Sequence, residues 1–335
     1  MRIRMDKQLN AAEQGKLWAT YMGNTMSICV LNYFLHHVED QDIKKIIEYA
    51  LGMSKQFVQT ITDIFNQEGY PIPTGFSEDD VNLQAPRLFN DDFYLHYLKY
   101  TGKAGINLYG IAIPYMVRAD TRNLITQCVD LTTKLLNQVN ETLIAKGLIL
   151  EAPIIPYPEQ VDFVKKQKYL TGFFGDVRPL NALEIAHLHD NALNNATSKV
   201  VLIGFHQTSQ SEQTKAYFAR GIALADKHLD ICTKMLEDEN LSSVPLLDPL
   251  VTTSTTAPFS DKLMMFHKVD MFIMRLRTYG NALAFASRHD IAAKYGKFML
   301  EVGNYVEDGA NILIDNGWLE QIPQAADREA LASIR

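Results

Sequence analysis

The chain has 335 residues, of which 47% are apolar and 21% charged, and its formal net charge is −7 at pH 7. This composition excludes wholesale disorder, and a length above roughly 250–300 residues predicts more than one hydrophobic core. The acidic balance, without a lysine or arginine cluster, excludes a nucleic-acid partner held by its phosphates.

A membrane location is also excluded at this stage. The longest apolar stretch, 105–117, is interrupted by Asn107 and Pro114 and is too short to span a bilayer. The first seven residues are basic, but no apolar segment follows them, so no secretion signal is predicted. Three cysteines in apolar helical stretches indicate free thiols in a reducing compartment. The protein is therefore expected to be soluble and cytoplasmic.

In chain order, the first part of the sequence, 1–150, predicts a four-helix bundle. Apolar periodicity places its helices at 10–37, 41–68, 91–117 and 121–147. Asp91 has the short side-chain oxygen of a helix N-cap, and Gly69 and Gly147 occupy positions where a helix end favours a left-handed residue.

A linker, defined here as residues 151–180, follows the first bundle. The spacing of prolines in Ala152–Pro158 predicts an extended segment, and Val161–Leu170 is typical of a short helix. Residues 181–335 then predict a second four-helix bundle with helices at 181–208, 211–238, 260–286 and 289–316. Ser260 and Asp261 are its N-cap candidates, and Gly317 lies where its last helix would end.

The two bundles are copies of one unit. Identical residues recur in one register over most of the unit, at an offset of 171 that drops to 170 after the second helix. The matches are Leu9/Leu180, Glu13/Glu184, Asn24/Asn195, Phe34/Phe205, Phe89/Phe259, Tyr109/Tyr279, Arg118/Arg288, Gly147/Gly317 and Pro153/Pro323. The fold class is therefore predicted to be all-α, a tandem duplication.

Within each copy the second and third helices are joined by a long loop, 69–90 or 239–259. Such a loop can run the length of a bundle, whereas short loops force antiparallel neighbours. One long crossover between helices two and three is the ferritin-like topology. A simple up-down bundle with a decorated loop is the alternative.

A ferritin-like bundle raises the question of a di-iron site. That chemistry uses a glutamate on each of two helices and a Glu-x-x-His on each of the other two. The chain has one such motif, Glu184 with His187, and Lys16 follows Glu13 at the matching positions of copy one. The complete di-iron motif is thus absent. Alternatively, Glu184 and His187 belong to the solvated stripe of an amphipathic helix.

Three further histidines distinguish copy two. His189, His228 and His267 lie on apolar helix faces, where copy one has Trp18, Phe57 and Tyr97 at the equivalent positions. Imidazoles in a core need hydrogen-bond partners or a metal, so these three, with Glu184 and His187, are the candidate ligands of a transition metal such as iron or zinc. The alternative is that each histidine is satisfied separately in the core. Copy one is expected to be packing throughout.

Several stretches are similar to a known family. They include Val81–Phe89, Ile155–Pro158, Arg178–Glu184, Pro258–His267 and Gly317–Glu320. The chain resembles the duplicated ferritin-like proteins of spore-forming bacteria, a domain of unknown function whose members are often labelled as spore coat proteins. This resemblance implies the fold and an association with sporulation, and it brings no assigned activity or site residue.

These observations lead to two functional hypotheses. The first is a non-catalytic structural or interaction protein, associated with the spore coat through a coat-protein partner or through self-association. The second is a metal-binding ferritin-like protein with its site in copy two. A small-molecule binder is a third option, which would require a large apolar cavity between helices.

Overall fold

A computed structural model describes residues 8–333, and within this range the regular structure is helical, with strand pairing limited to two isolated bridges. The predicted all-α class is confirmed. The first seven residues, for which no secretion signal is predicted, lie outside the described range. Copy one contains α1 (Ala11–His37), α2 (Gln41–Glu68), α3 (Asp91–Ala112) and α4 (Ala119–Ala145). Copy two contains α5 (Ala182–Thr208), α6 (Glu212–Glu237), α7 (Asp261–Phe285) and α8 (His289–Asp315), and α9 (Arg328–Ser333) follows.

The helix ends follow from local sequence signals. α1 and α5 begin with the same capping box, in which Asn10 or Asn181 accepts from the third backbone amide and Glu13 or Glu184 accepts from the cap. Gly69, Gly147 and Gly317 adopt φ values of 62°, 68° and 66°, where a side chain would be strained. The predicted left-handed positions are therefore confirmed.

Three local predictions are wrong. α3 ends at Ala112 and not at residue 117, because Pro114 lies in a 3₁₀ turn, Ile113–Tyr115. The N-cap of α3 is Asn90, and the Asp91 carboxylate accepts instead from the amides of Glu39 and Asp40. The helix expected at 161–170 is one 3₁₀ turn, Gln167–Leu170. Short helices need tertiary packing, and the apolar side chains of that segment face solvent.

Helix neighbours are equivalent in the two copies, but two of the contacts differ in extent. α1 packs on α2 and α3 on α4, as α5 packs on α6 and α7 on α8. The contact between helices two and four is the larger one in copy one (α2 and α4), and that between helices one and three is the larger one in copy two (α5 and α7). At one end of copy one, Arg118 before α4 pairs with Glu68 at the end of α2. At the other end, Asp91 at the start of α3 binds the amide of Asp40 before α2. The start of α3 therefore lies beside the start of α2.

The two copies pack together around an approximate two-fold axis. The loop of each copy binds the loop of the other through bridges at Val81↔Phe259 and Phe89↔Val251, positions that exchange under the offset of 170. The amide of Asn82 donates to Pro258 O at 2.8 Å, and the equivalent amide of Thr252 donates to Leu88 O at 2.9 Å. Buried apolar residues of both copies form one continuous cluster. None of the helices between residues 8 and 333 has the length and apolar character to cross a bilayer.

Candidate functional site

Glu184 lies at a structural junction. Its carboxylate receives two hydrogen bonds of 2.8 Å from the Arg178 guanidinium and accepts from the amides of Ser287 and Arg288 at 3.1 and 3.0 Å. Burial would raise the pKa of Glu184, but these bonds and that of the Asn181 amide hold it below its usual value. In copy one, Glu13 binds the amides of Val117 and Arg118 in the same way. The carboxylate therefore ties the start of one helix to the turn between two others.

His187 and His189 have separate surroundings. The His187 ring is partly buried and stacks on Phe285, with centroids 5.4 Å apart. His189 is buried, as expected for a core position, and burial lowers its pKa. The Glu-x-x-His spacing thus puts Glu184 and His187 on one helix, but their side chains bind different groups.

His228 is fully buried and hydrogen-bonded at both ring nitrogens. Its Nε2 donates to Glu301 at 2.9 Å, and its Nδ1 lies 3.0 Å from the Tyr279 hydroxyl. Burial lowers the pKa of His228 to about 4, so the ring is neutral at pH 7. A neutral imidazole with both nitrogens engaged has no lone pair free for a metal.

His267 lies where the two copies meet. Its Nε2 is 2.6 Å from the hydroxyl of Tyr97, which is the residue at the equivalent position of copy one. The two rings stack with centroids 5.6 Å apart. Burial lowers the pKa of His267 to about 3, and its Nδ1 has no hydrogen-bond partner within the described residues.

The structure does not bring the five candidate ligands together. Between residues 8 and 333, no three His, Cys, Asp or Glu side chains are grouped so that they could hold a metal ion. Arg275, fully buried in copy two, also contributes to the lowered pKa of His228. A cation that disfavours imidazolium at His228 would disfavour a metal ion there for the same reason.

A cavity of about 370 Å³ lies between the copies and is called the apolar cleft here. It is formed by α1 and α3 of copy one and α7 of copy two, with Leu319 and Ile322 at one side. The amides of Thr74 and Gly75 donate to Glu320 at 3.0 and 2.7 Å, which holds this segment of copy two against the loop of copy one. The sequence predicts packing alone in copy one, and the cleft is not among its predictions.

The approximate symmetry generates a second cavity, of about 190 Å³, called the polar cleft here. Its residues include His96, Lys99 and Lys103 of α3 and Asp190 and Asn194 of α5. Lys103 Nζ donates to Asp190 and to Asn194, each at 2.5 Å. The polar cleft is therefore crossed by its own ion pair and hydrogen bonds.

The linker has its apolar side chains in solvent. Its apolar residues that are more than half exposed, with the accessible fraction of each, are Ile154 (91%), Tyr157 (96%), Val161 (86%), Phe163 (77%), Val164 (63%), Phe173 (58%) and Phe174 (86%). Isolated apolar residues are normal on a surface, but a concentration within one short segment is typical of an interaction site. Toward its end the linker is anchored by Arg178, whose guanidinium lies 4.0 Å from the Tyr169 ring.

Comparison with known proteins places the chain in a family. A domain described as a protein of unknown function, DUF3231, matches residues 2–161 and again residues 168–331. No protein of curated function matches. A crystal structure titled as a "putative spore coat protein" from Bacillus halodurans C-125 is similar at 20% identity and a TM-score of 0.38, covering 47% of this chain and 98% of its own. The two ranges matched by DUF3231 confirm the duplication, and the chain belongs to the DUF3231 family.

Proposed function

We propose that the protein is a non-catalytic structural or interaction protein of the spore coat, and that the linker is the segment that binds its partner. The proposal rests on seven large apolar side chains within residues 154–174 that are each more than half exposed. Covering such a surface with a partner protein would remove apolar area from water, at about 25 cal/mol for each Å². The association with the coat rests on the resemblance of the sequence.

The chemistry of the buried residues supports a non-catalytic role. Burial raises the pKa of the Cys29 and Cys232 thiols to about 12, so neither forms the thiolate that a nucleophile requires. His228 and His267 are neutral at pH 7 and are enclosed by the core. General bases act best with a pKa near the working pH, which neither histidine has.

We also propose that each copy has the ferritin-like topology, with residues 69–90 and 239–259 as the crossovers. The positions of Arg118 beside Glu68 and of Asp91 beside Asp40 support it for copy one. In copy two, Asp261 at the start of α7 binds the amides of Gln210 and Ser211 before α6 in the same way. A simple up-down bundle would place the starts of α3 and α7 at the opposite ends.

The test of the interaction proposal is a triple variant, Tyr157→Ser with Phe163→Ser and Phe174→Ser. We expect the unchanged protein to self-associate in light scattering as its concentration rises, or a tagged copy to co-localise with spores, and the triple variant to lose that behaviour. Its Tm should be unchanged, because all three side chains are exposed. Leu300→Ser is the matched control, since Leu300 is 72% exposed on α8, outside the linker. Protein that stays monomeric and never reaches spores would contradict the proposal.

The metal-binding alternative keeps one supporting observation, the contact of His228 Nε2 with Glu301. Lys227 and Lys297 pair with the same carboxylate, so a metal there would compete with two ammonium groups. Elemental analysis of purified protein decides between the two hypotheses. Stoichiometric iron or zinc that is lost in His228→Ala would favour the metal site, and we expect metal-free protein with an unchanged Tm after chelation.

A further inference from the structure

Three polar side chains in the lining of the polar cleft have no partner. His96 and Lys99 of α3 and Thr197 of α5 line the cavity, and within residues 8–333 none of these side chains makes a hydrogen bond or an ion pair. His96 is 5% exposed and Thr197 is 2% exposed, while Lys99 is partly buried. The ring nitrogens of His96 and the hydroxyl of Thr197 nevertheless keep some accessible surface. Because buried polar groups normally find partners, these three are available to a molecule in the cleft.

α3 and α5 run antiparallel along the polar cleft. Lys103, in the middle of α3, binds Asp190 in the first half of α5, whereas Phe89, just before α3, lies close to Gly204 near the end of α5. Each turn back along α3 from Lys103 therefore corresponds to one turn forward along α5 from Asp190. The two unpartnered side chains of α3 come one and two turns before Lys103, and Thr197 comes two turns after Asp190. The three groups thus lie at the same level of the cleft.

The lining of the polar cleft has an excess of positive charge. It includes two lysines, Lys99 and Lys103, and one carboxylate, Asp190. That carboxylate accepts from Lys103 Nζ at 2.5 Å and from Asn194 Nδ2 at 3.2 Å, so it already has partners. Burial and the charge of Lys103 lower the pKa of Lys99, and burial and the charge of Lys99 lower the pKa of His96 to about 4. The His96 ring is therefore neutral at pH 7, and an added negative charge would be favoured beside Lys99.

The fold does not require these polar residues. At the positions equivalent to His96 and Lys99, α7 has Phe266 and Val269, which line the apolar cleft. Apolar side chains are thus compatible with the packing of both positions, whereas buried polar groups without partners destabilise a fold. A bound molecule that supplies the missing partners would remove this destabilisation.

We propose that the polar cleft binds a small organic carboxylate. The carboxylate group of the ligand would accept from the Lys99 ammonium, the Thr197 hydroxyl and one N–H of the neutral His96 ring. Its apolar part would contact Leu136 and Leu193, which also line the cavity. The cavity volume of about 190 Å³ is below the range of drug-sized ligands, about 300–1,000 Å³, so the ligand has few carbon atoms.

Butyrate is the probe, and its binding to the full chain is measured by isothermal titration calorimetry beside butylamine, butanol and inorganic phosphate. We expect butyrate to bind most tightly, because butylamine and butanol lack the negative charge and phosphate lacks the apolar part. Lys99→Gln should weaken butyrate binding by about tenfold or more, since a charge-assisted hydrogen bond is lost. Lys55→Gln is the matched control, because it makes the same change of charge at an exposed position on α2, outside the lining of the cleft.

A second variant should increase the affinity, which a folding defect could not do. Asp190→Asn removes the negative charge of the cleft and leaves Lys103 without its carboxylate partner. We expect butyrate to bind about fivefold more tightly to this variant, because a repulsion between like charges is lost. Asp226→Asn, at a carboxylate that pairs with Lys199 outside the cleft, should bind as the unchanged protein does. No binding of butyrate, equally tight binding of any of the other three probes, unchanged affinity in Lys99→Gln, or no gain in Asp190→Asn would each overturn the proposal. The linker variants should not affect this binding.

Discussion

The histidines of copy two are polar substitutes within a shared apolar framework. His228 takes the position of Phe57 and is bound at both nitrogens, while His267 takes the position of Tyr97 and binds that same tyrosine across the copy interface. The comparison of the two copies thus predicts core positions for His189, His228 and His267, and all three side chains are buried. The comparison does not predict the hydrogen-bond partners of His228 and His267. Their partners Glu301 and Tyr97 lie on other helices, and the repeat register does not show how those helices are placed.

Buried neutral histidines make the stability of the fold depend on pH. The pKa of His228 is about 4 in the folded protein, while an exposed histidine has a pKa near 6.5. Below about pH 6.5 the unfolded chain therefore binds a proton that the folded chain does not, and stability falls as pH decreases toward 4. We predict that His228→Phe, the residue of copy one, reduces this slope by up to about 1.4 kcal/mol per pH unit.

Urea unfolding between pH 5 and 6.5 measures this slope. Tyr279 keeps its hydrogen bond to Asn195 in the variant, and Glu301 keeps Lys227, so the change should not leave those groups without partners. His289→Phe, at an exposed position at the start of α8, should leave the slope unchanged. A His228→Phe protein with the original pH dependence would show that His228 is not the group responsible.

At the scale of elements, local signals define most helix ends. The N-cap at Ser260 and the left-handed glycines depend on a few neighbouring residues, so the sequence predicts them. The expected helix at 161–170 fails for a tertiary reason, since its apolar residues find no surface of the protein to pack on. Apolar periodicity shows that one face of a helix is apolar, but it does not show whether other residues pack on that face.

The clefts show the same limit more clearly. Within one copy, Ala19 and Gly23 cannot be told apart from ordinary packing residues. Their grouping depends on how the loops at 69–90 and 239–259 pair across the two-fold axis, which is a long-range property. A signal was nevertheless present, because small residues in one copy align with Asp190 and Asn194 in the other. Size and charge differences between copies are therefore as informative as the histidines.

At the scale of the molecule, the two copies are packed together into a single unit. Each loop donates backbone hydrogen bonds to the other, including Ser260 N to Asp80 O at 3.0 Å and Asn90 N to Leu250 O at 2.9 Å. Lys103 of copy one pairs with Asp190 of copy two. The linker, by contrast, is exposed at Lys165 and Lys166, where few contacts hold the backbone. The covalent connection is therefore not what keeps the copies together.

We predict that brief trypsin treatment cuts the linker at Lys165 or Lys166 and that the two fragments still elute together at the mass of the whole chain, 37.9 kDa. Gly204→Leu should separate them after the same cut, because a Cβ at Gly204 would lie 2.7 Å from Cζ of Phe89 in the opposite copy. Gly296→Leu, where a Cβ meets nothing within 4 Å, is the matched control and should keep the fragments together. Fragments of the unchanged protein that elute separately would mean that the linker, and not the paired loops, holds the copies in contact.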